Sequence, residues 1–316
     1  MPAPAKTAVL FSNHWITGSD YLARLLSLSF QLLPFHLPWT MEAGGDAVAE
    51  PAQAAPARDW AKLPLDAIAS VFARLGPVDI LMGAGLVCRS WLHAAEEPSL
   101  WKQLDMGSSH HNAVKGKYRS GDAADVLCAI AEKAVDRSAG QLEVFVGEEF
   151  VDDDLLNYIG GRAPSLKVLR LISCFHICNE GFVEAISKFP LLEELNLSTC
   201  ESIGGRATYE AVGKACRNLK QFVADKEFTT YGKFGHDEAY GIATMHRLRS
   251  LKISCGELNN KAMAAILDNC PHLESLDLFR CFNVVMDGAM RAKCAGIKMC
   301  VDHSYGDIFP NVRLII

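Results

Sequence analysis

Leucines recur in a fixed frame along the C-terminal half of the chain. Leu166, Leu169 and Leu171 are followed by Cys174, Leu192, Leu195 and Leu197 by Cys200, and Leu273, Leu276 and Leu278 by Cys281. Leu248, Leu251 and Ile253 keep the spacing, with Cys255 one residue early, while Leu219/Phe222/Ala224, Leu142/Phe145 and Ile297/Cys300 are degenerate or partial copies. Frames starting at 142, 166, 192, 219, 248, 273 and 297 are separated by 24, 26, 27, 29, 25 and 24 residues. Within each unit the alternating leucines predict a short strand, and runs such as GFVEAISKFP and KAMAAILDNCP predict the helix behind it. Neither layer buries its apolar face alone, so neighbouring units stack into one continuous α/β core.

Strand side chains alternate, so the residues between the leucines face away from the helices, onto a concave surface. Val168, Gln221, Val223, Ser250 and Ser275 fall there, together with six candidates for contact with a partner: Arg170, Glu194, Asn196, Lys252, Asp277 and Phe279. The mixture suits recognition of a protein surface and equally suits an ordinary solvated face. The longest interval holds DKEFTTYGKFGHDE, Asp225 to Glu238. Long insertions in solenoids form loops, often on the binding side, which makes Phe228, Tyr231 and Phe234 further candidates. Packing down over the repeats is the alternative for these aromatics.

A different period governs residues 58–106. Pro64 opens a first helix whose stripe is Ile68, Val71, Phe72 and Leu75, ended by Gly76. Pro77 opens a second, carrying Ile80, Ala84, Val87, Cys88 and Trp91, with Gly83 and Gly85 inside it at about 1 kcal/mol each relative to alanine. Pro98 opens a third with Leu100, Trp101 and Leu104. Three helices this short make a core too small to stand alone, and the apolar residues outnumber what it can bury, which marks an interaction surface.

Leu63-Pro64, Ile68, Val71-Phe72, Leu75, Asp79-Ile80, Val87-Cys88-Arg89, Trp91 and Trp101 resemble an F-box in order and spacing. The repeats resemble cysteine-containing leucine-rich repeats, and RDW before LP with LDM after Trp101 resembles plant F-box/leucine-rich-repeat proteins. The resemblance implies a small three-helix bundle that docks on the Skp-family adaptor of Skp–cullin–F-box ubiquitin ligases, and through it on a cullin. Leu63, Pro64, Ile68, Leu75, Val87, Cys88 and Trp91 would form that contact, with Trp91 shared between core and partner and Trp101 anchoring the third helix. The repeats would then present a protein target for ubiquitination, the chemistry belonging to other subunits, in cytoplasm or nucleus. A leucine-rich scaffold or ligand-binding module without a ligase role is the alternative. The expected organisation is an N-terminal segment 1–57, the bundle 58–106, a helical linker 107–137 and the repeats 138–316.

Net charge is −6 and the pI about 5.9, which gives nucleic acid and anionic membranes no basic footprint. Eleven scattered cysteines fit a reducing compartment and buried structural roles better than disulfides. Cys174, His176 and Cys178 cluster without a convincing fourth zinc ligand, so no metal or other cofactor is expected. There is no phosphate-binding glycine loop, nucleophile elbow or paired HExxH, and a non-enzymatic role is expected. Asp152, Asp153 and Asp154 read as a helix cap and dipole partner. The apolar stretch Tyr21–Trp39 is interrupted by Arg24 and falls short of the roughly 20 residues that span a bilayer. Residues 1–40 are expected to be an upstream extension with an alternative start at Met41, a targeting segment being the other reading.

Overall fold

The computed structural model describes residues 60–107, 114–116, 118, 120–226, 235–254, 257–281 and 283–300. Phe228, Tyr231, Phe234, Cys255, the histidine pair at 110–111 and residues 1–59 lie outside the described residues.

The N-terminal bundle starts with a 3-10 turn, Trp60–Lys62, and helix α1, Leu65–Phe72, which buries Ile68 and Phe72. Helix α2 runs from Pro77 to Met82 and α3 from Arg89 to Ala94. The single helix expected over 77–91 is therefore broken. Gly83 leaves helical geometry (φ −142°, ψ −86°) and Ala84–Leu86 form one 3-10 turn. At Gly85 a Cβ atom would lie 2.9 Å from the Ile80 carbonyl oxygen and 3.2 Å from the Ala95 Cβ. The glycine allows the end of α2 to approach the end of α3, so neither glycine carries a mid-helix penalty. The third expected helix is also corrected. Pro98–Trp101 is a single 3-10 turn, and Leu104 lies on a strand, β1, Gln103–Met106.

That strand begins an eight-stranded parallel sheet, ordered as in the chain. It continues through β2 (Val144–Glu148), β3 (Val168–Ile172), β4 (Glu194–Ser198), β5 (Gln221–Asp225), β6 (Ser250–Ser254), β7 (Ser275–Phe279) and β8 (Lys298–Cys300). Behind it stand α4 (Ser120–Arg137), α5 (Asp153–Arg162), α6 (Asn179–Ile186), α7 (Arg206–Ala215), α8 (His236–Ile242), α9 (Asn260–Asn269) and α10 (Gly288–Lys293). Register is strict: Leu169, Leu195, Phe222, Leu251 and Leu276 form one cross-strand row, and all are buried. Parallel pairing of identical units requires the helix between strands to cross over the same face each time.

Recurrent turns hold the units together. Glu149, Ser173, Thr199 and Arg280, each the residue after a strand, have φ between 53° and 68°. This left-handed step turns the next side chain inward, burying Phe150, Cys174, Cys200 and Cys281. Helix starts are capped by Asp152, Asn259 and Asp287, whose side-chain oxygens accept from the backbone N–H groups of Leu155, Ala262 and Met290 at 2.8, 3.0 and 2.8 Å. Such caps contribute about 1 kcal/mol each relative to alanine.

The cysteines repeat as well. Cys174, Cys200 and Cys281 donate to carbonyls of the preceding strand, Gly147 at 3.7 Å, Leu171 at 3.4 Å and Ile253 at 3.7 Å. Cys216 and Cys270 follow helices and donate to Phe189 at 3.6 Å and Met245 at 3.5 Å. Cys178 instead caps α6, its sulfur accepting from Gly181 N–H, and is exposed where Cys174 is buried. Burial pushes the Cys216 thiol up from its ordinary 9.0 to about 12 and Cys270 to about 11. A folded pKa above the unfolded one means the folded state holds the protons longer. The stability these thiols contribute is complete below pH 9 and is expected to fall as pH rises through 9 to 12. Iodoacetamide at pH 8 should leave both thiols unmodified in the folded chain and label both in denaturant; labelling of the folded chain by mass spectrometry would contradict this burial.

Candidate functional site

Two surfaces follow from this fold, one on the bundle and one on the inner face of the sheet. On the bundle, the interior takes Ile68 and Trp91, only 1% and 3% exposed. The Trp91 ring stands edge-on to Phe72, 5.5 Å between centroids, and its indole N–H donates to the Trp60 carbonyl at 3.2 Å. Both lie in the interior of the bundle, as expected for the core half of the role given to Trp91. Of the other expected residues, Pro64 is exposed and Leu63, Leu75, Val87 and Cys88 are half-buried. The apolar residues that reach solvent are ones the sequence pattern passed over: Leu65, Leu86 and Leu92, 47%, 70% and 38% exposed. Leu65 opens α1, Leu86 ends the 3-10 turn before α3, and Leu92 lies on α3, elements that pack on one another. Leu92 is the neighbour of buried Trp91 and points the other way around the helix. Arg89 and His93 are exposed on the same helix, so Leu92 is an apolar residue set among polar ones, the one signal the sequence offered for it.

Helix α4 joins the helix layer and packs against α2, β1, α5 and the Pro98–Trp101 turn. Trp101 is 1% exposed and its indole N–H donates to the Ala95 carbonyl at 3.0 Å. The same carbonyl accepts from Arg137 at 3.2 Å, and the Arg137 guanidinium lies 5.5 Å from the Trp101 ring centroid. One buried cluster runs from Ile68 through Trp101 to Cys294. Trp101, expected to anchor a third helix, instead locks the bundle to the sheet.

On the inner face the sequence-derived candidates lie in adjacent rows. Register sets Arg170 beside Asn196 and Lys252 beside Asp277, and Phe279 beside Ser254. Arg170 and Glu194 reach each other, Nε to Oε1 at 2.6 Å. With Arg170 half exposed to solvent, the pair contributes about 1 kcal/mol or less. Asn196 accepts from the Ser198 hydroxyl at 2.6 Å, Lys252 approaches Asp225 at 3.4 Å, and the Arg280 guanidinium lies 4.8 Å from the Phe279 ring centroid. The candidates therefore form a face crossed by local pairs, with no single cluster.

One polar group is buried beside this face. Lys226 and Glu238, with side chains 7% and 6% exposed, pair at 2.8 Å. Glu238 also accepts backbone N–H groups from Gly205 and Gly235, both at 2.7 Å. Lys226 N–H donates to Ser254, whose hydroxyl also binds Asp225. The pair closes the chain around the insertion at 227–234. Sequence reading placed these two residues in a loop and missed their role.

Among the described residues no group of three His, Cys, Asp or Glu side chains is arranged to hold a metal ion, and no helix is long and apolar enough to cross a membrane. Comparison with known proteins places these features. Residues 60–107 match the family described as F-box-like. The F-box protein SKIP19 of Arabidopsis thaliana is 39% identical over 249 residues, 78% of this chain and 77% of that protein. The F-box/LRR-repeat protein At3g48880 of the same plant is 25% identical over 228 residues, 70% of this chain and 72% of that protein. A solved structure, "Crystal structure of Rad7 and Elc1 complex in yeast", aligns with a TM-score of 0.42 at 14% identity, covering 66% of this chain and 65% of that one; so low a score carries no argument. With a matched bundle, a strand–helix arc and relatives spanning most of both chains, the protein belongs to the plant F-box/leucine-rich-repeat family.

Proposed function

We propose that the chain is the substrate-recognition subunit of a Skp–cullin–F-box ubiquitin ligase, working in cytoplasm or nucleus. In this division of labour residues 58–106 dock a Skp-family adaptor and, through it, a cullin, while the repeats present a protein target. The observation that carries the reading is the exposure of Leu65, Leu86 and Leu92 within the F-box-like residues. Three large aliphatic side chains kept in water on one small bundle mark a contact surface. The chain then acts by proximity, raising the effective concentration of a target near a charged conjugating enzyme. The bond-making groups belong to the other subunits.

The full chain co-expressed with a Skp-family adaptor is expected to elute as a stoichiometric complex on size exclusion. Leu86→Glu should abolish the complex at little cost to folding, because that side chain is already in water. A Leu63→Ala, Pro64→Ala double variant should weaken it. Ile68→Ala should act by destabilising the bundle instead, visible as a lowered Tm. Failure of folded wild-type chain to bind any of several such adaptors would leave the repeat scaffold without a ligase role as the better reading.

A further inference from the structure

The inner face of the sheet changes character along the arc. Strands β2 and β3 present Val144, Val146, Val168 and Ile172 there, all half-buried. Register puts Val144 beside Val168, Val146 beside Arg170 and Glu148 beside Ile172. In the rows of Val144 and Val146, β6 and β7 present Ser250, Lys252, Ser275 and Asp277, and their next row holds Ser254 and Phe279. The fold therefore does not require apolar residues on this face, since the leucine rows on the opposite face supply the core. Strand propensity accounts for an isolated valine such as Val223 on β5; four aliphatic residues on two adjacent strands form a patch.

The border of that patch is acidic. Asp105, exposed on β1, sits beside Val146, and Glu148 closes the end of β2. The cation on this part of the face, Arg170, is held by Glu194 on the far side of β3. An aliphatic floor edged by carboxylates complements a ligand with the opposite arrangement at its ends, apolar side chains followed by a positive charge. Resting on the reading that the inner face receives the target, we propose that β1–β3 bind a segment of the partner protein in which aliphatic or aromatic residues adjoin lysine or arginine. This end of the arc adjoins the bundle through β1, so the recognised segment lies close to the adaptor-binding end. The candidates on β4–β7 then play a secondary part.

A phage-displayed library of random dodecapeptides panned on the full chain tests this. Enriched sequences are expected to carry an apolar residue within two or three positions of Lys or Arg. A representative peptide should bind about tenfold or more weakly to Val146→Glu or Val168→Glu, a loss of the size expected when an apolar contact is replaced by a charge. Asp105→Lys, at an exposed position whose carboxylate accepts from Gly107 N–H, should weaken it several-fold with only a small fall in Tm, and salt should weaken wild-type binding. Acidic consensus sequences, no enrichment, or peptides indifferent to all three substitutions would overturn the proposal. Binding seen only after removal of residues 301–316 would overturn it too, because the face would then be taken by the chain's own end. Adaptor binding by the same variants is measured alongside, so loss of peptide binding alone leaves the ligase reading intact.

Discussion

Lys226→Met is expected to lower the unfolding free energy by about 3–5 kcal/mol, the range for removing one partner of a buried ion pair. The loss comes from Glu238, left charged and buried with only the N–H groups of Gly205 and Gly235 to hold it. Glu238→Gln has a single accepting oxygen where Gly205 and Gly235 now donate to two, so it loses one of those hydrogen bonds and strands the lysine as well, and a destabilisation at least as large follows. The double variant Lys226→Met, Glu238→Gln removes both charges and should recover part of the loss, the remainder being the backbone N–H that the amide NH2 cannot accept. Urea denaturation of the four proteins gives the coupling energy directly; single variants within about 0.5 kcal/mol of wild type would show that the pair is hydrated and contributes little. The pair joins β5 to the start of α8, so its loss should also raise amide exchange at Gly204 and Gly205 before that of the outer repeats.

Trp101→Ala is expected to cost about 3–5 kcal/mol, the range for deleting a fully buried aromatic side chain. The effect differs in kind from the first. Removing the indole also frees the Ala95 carbonyl of one donor and takes away the surface over which Arg137 lies. The bundle and the sheet should then unfold in separate steps, whereas the wild type, with one continuous core, is expected to unfold in a single transition. Trp101→Phe keeps most of the packing and should preserve that single step at a smaller cost. A biphasic wild-type transition in calorimetry would contradict this account of the junction.

Period was legible in the sequence wherever one side chain in two had to be buried. Leu166, Leu192 and Leu273 announce their strands because the interior row admits only apolar residues, and the outward positions Arg170, Asn196 and Lys252 follow from alternation alone. The first strand escaped notice although Trp101, Leu104 and Met106 hold the same frame. A tryptophan stood at the leading leucine position, and the proline before it resembled a helix start. Gly83 and Gly85 read as weak points in a helix because a sequence shows the conformational cost of glycine and not the Ile80 carbonyl that needs its missing side chain. Ile68 and Trp91 were named as contact candidates by resemblance, because periodicity gives a stripe without saying which side of a small bundle the core will occupy. Lys226 and Glu238, twelve positions apart, carry no local signal, since their meeting depends on the path of the chain between two repeats.

The sheet order β1 to β8 follows the chain without a single crossover between non-neighbours. Each strand therefore finds its partner in the segment made just before it, and a nascent chain leaving the ribosome can add units one at a time to a finished edge. The bundle emerges first and supplies, through Trp101, the surface on which the first strand settles. Synthesis and assembly then proceed in the same direction, and every intermediate exposes only one growing edge.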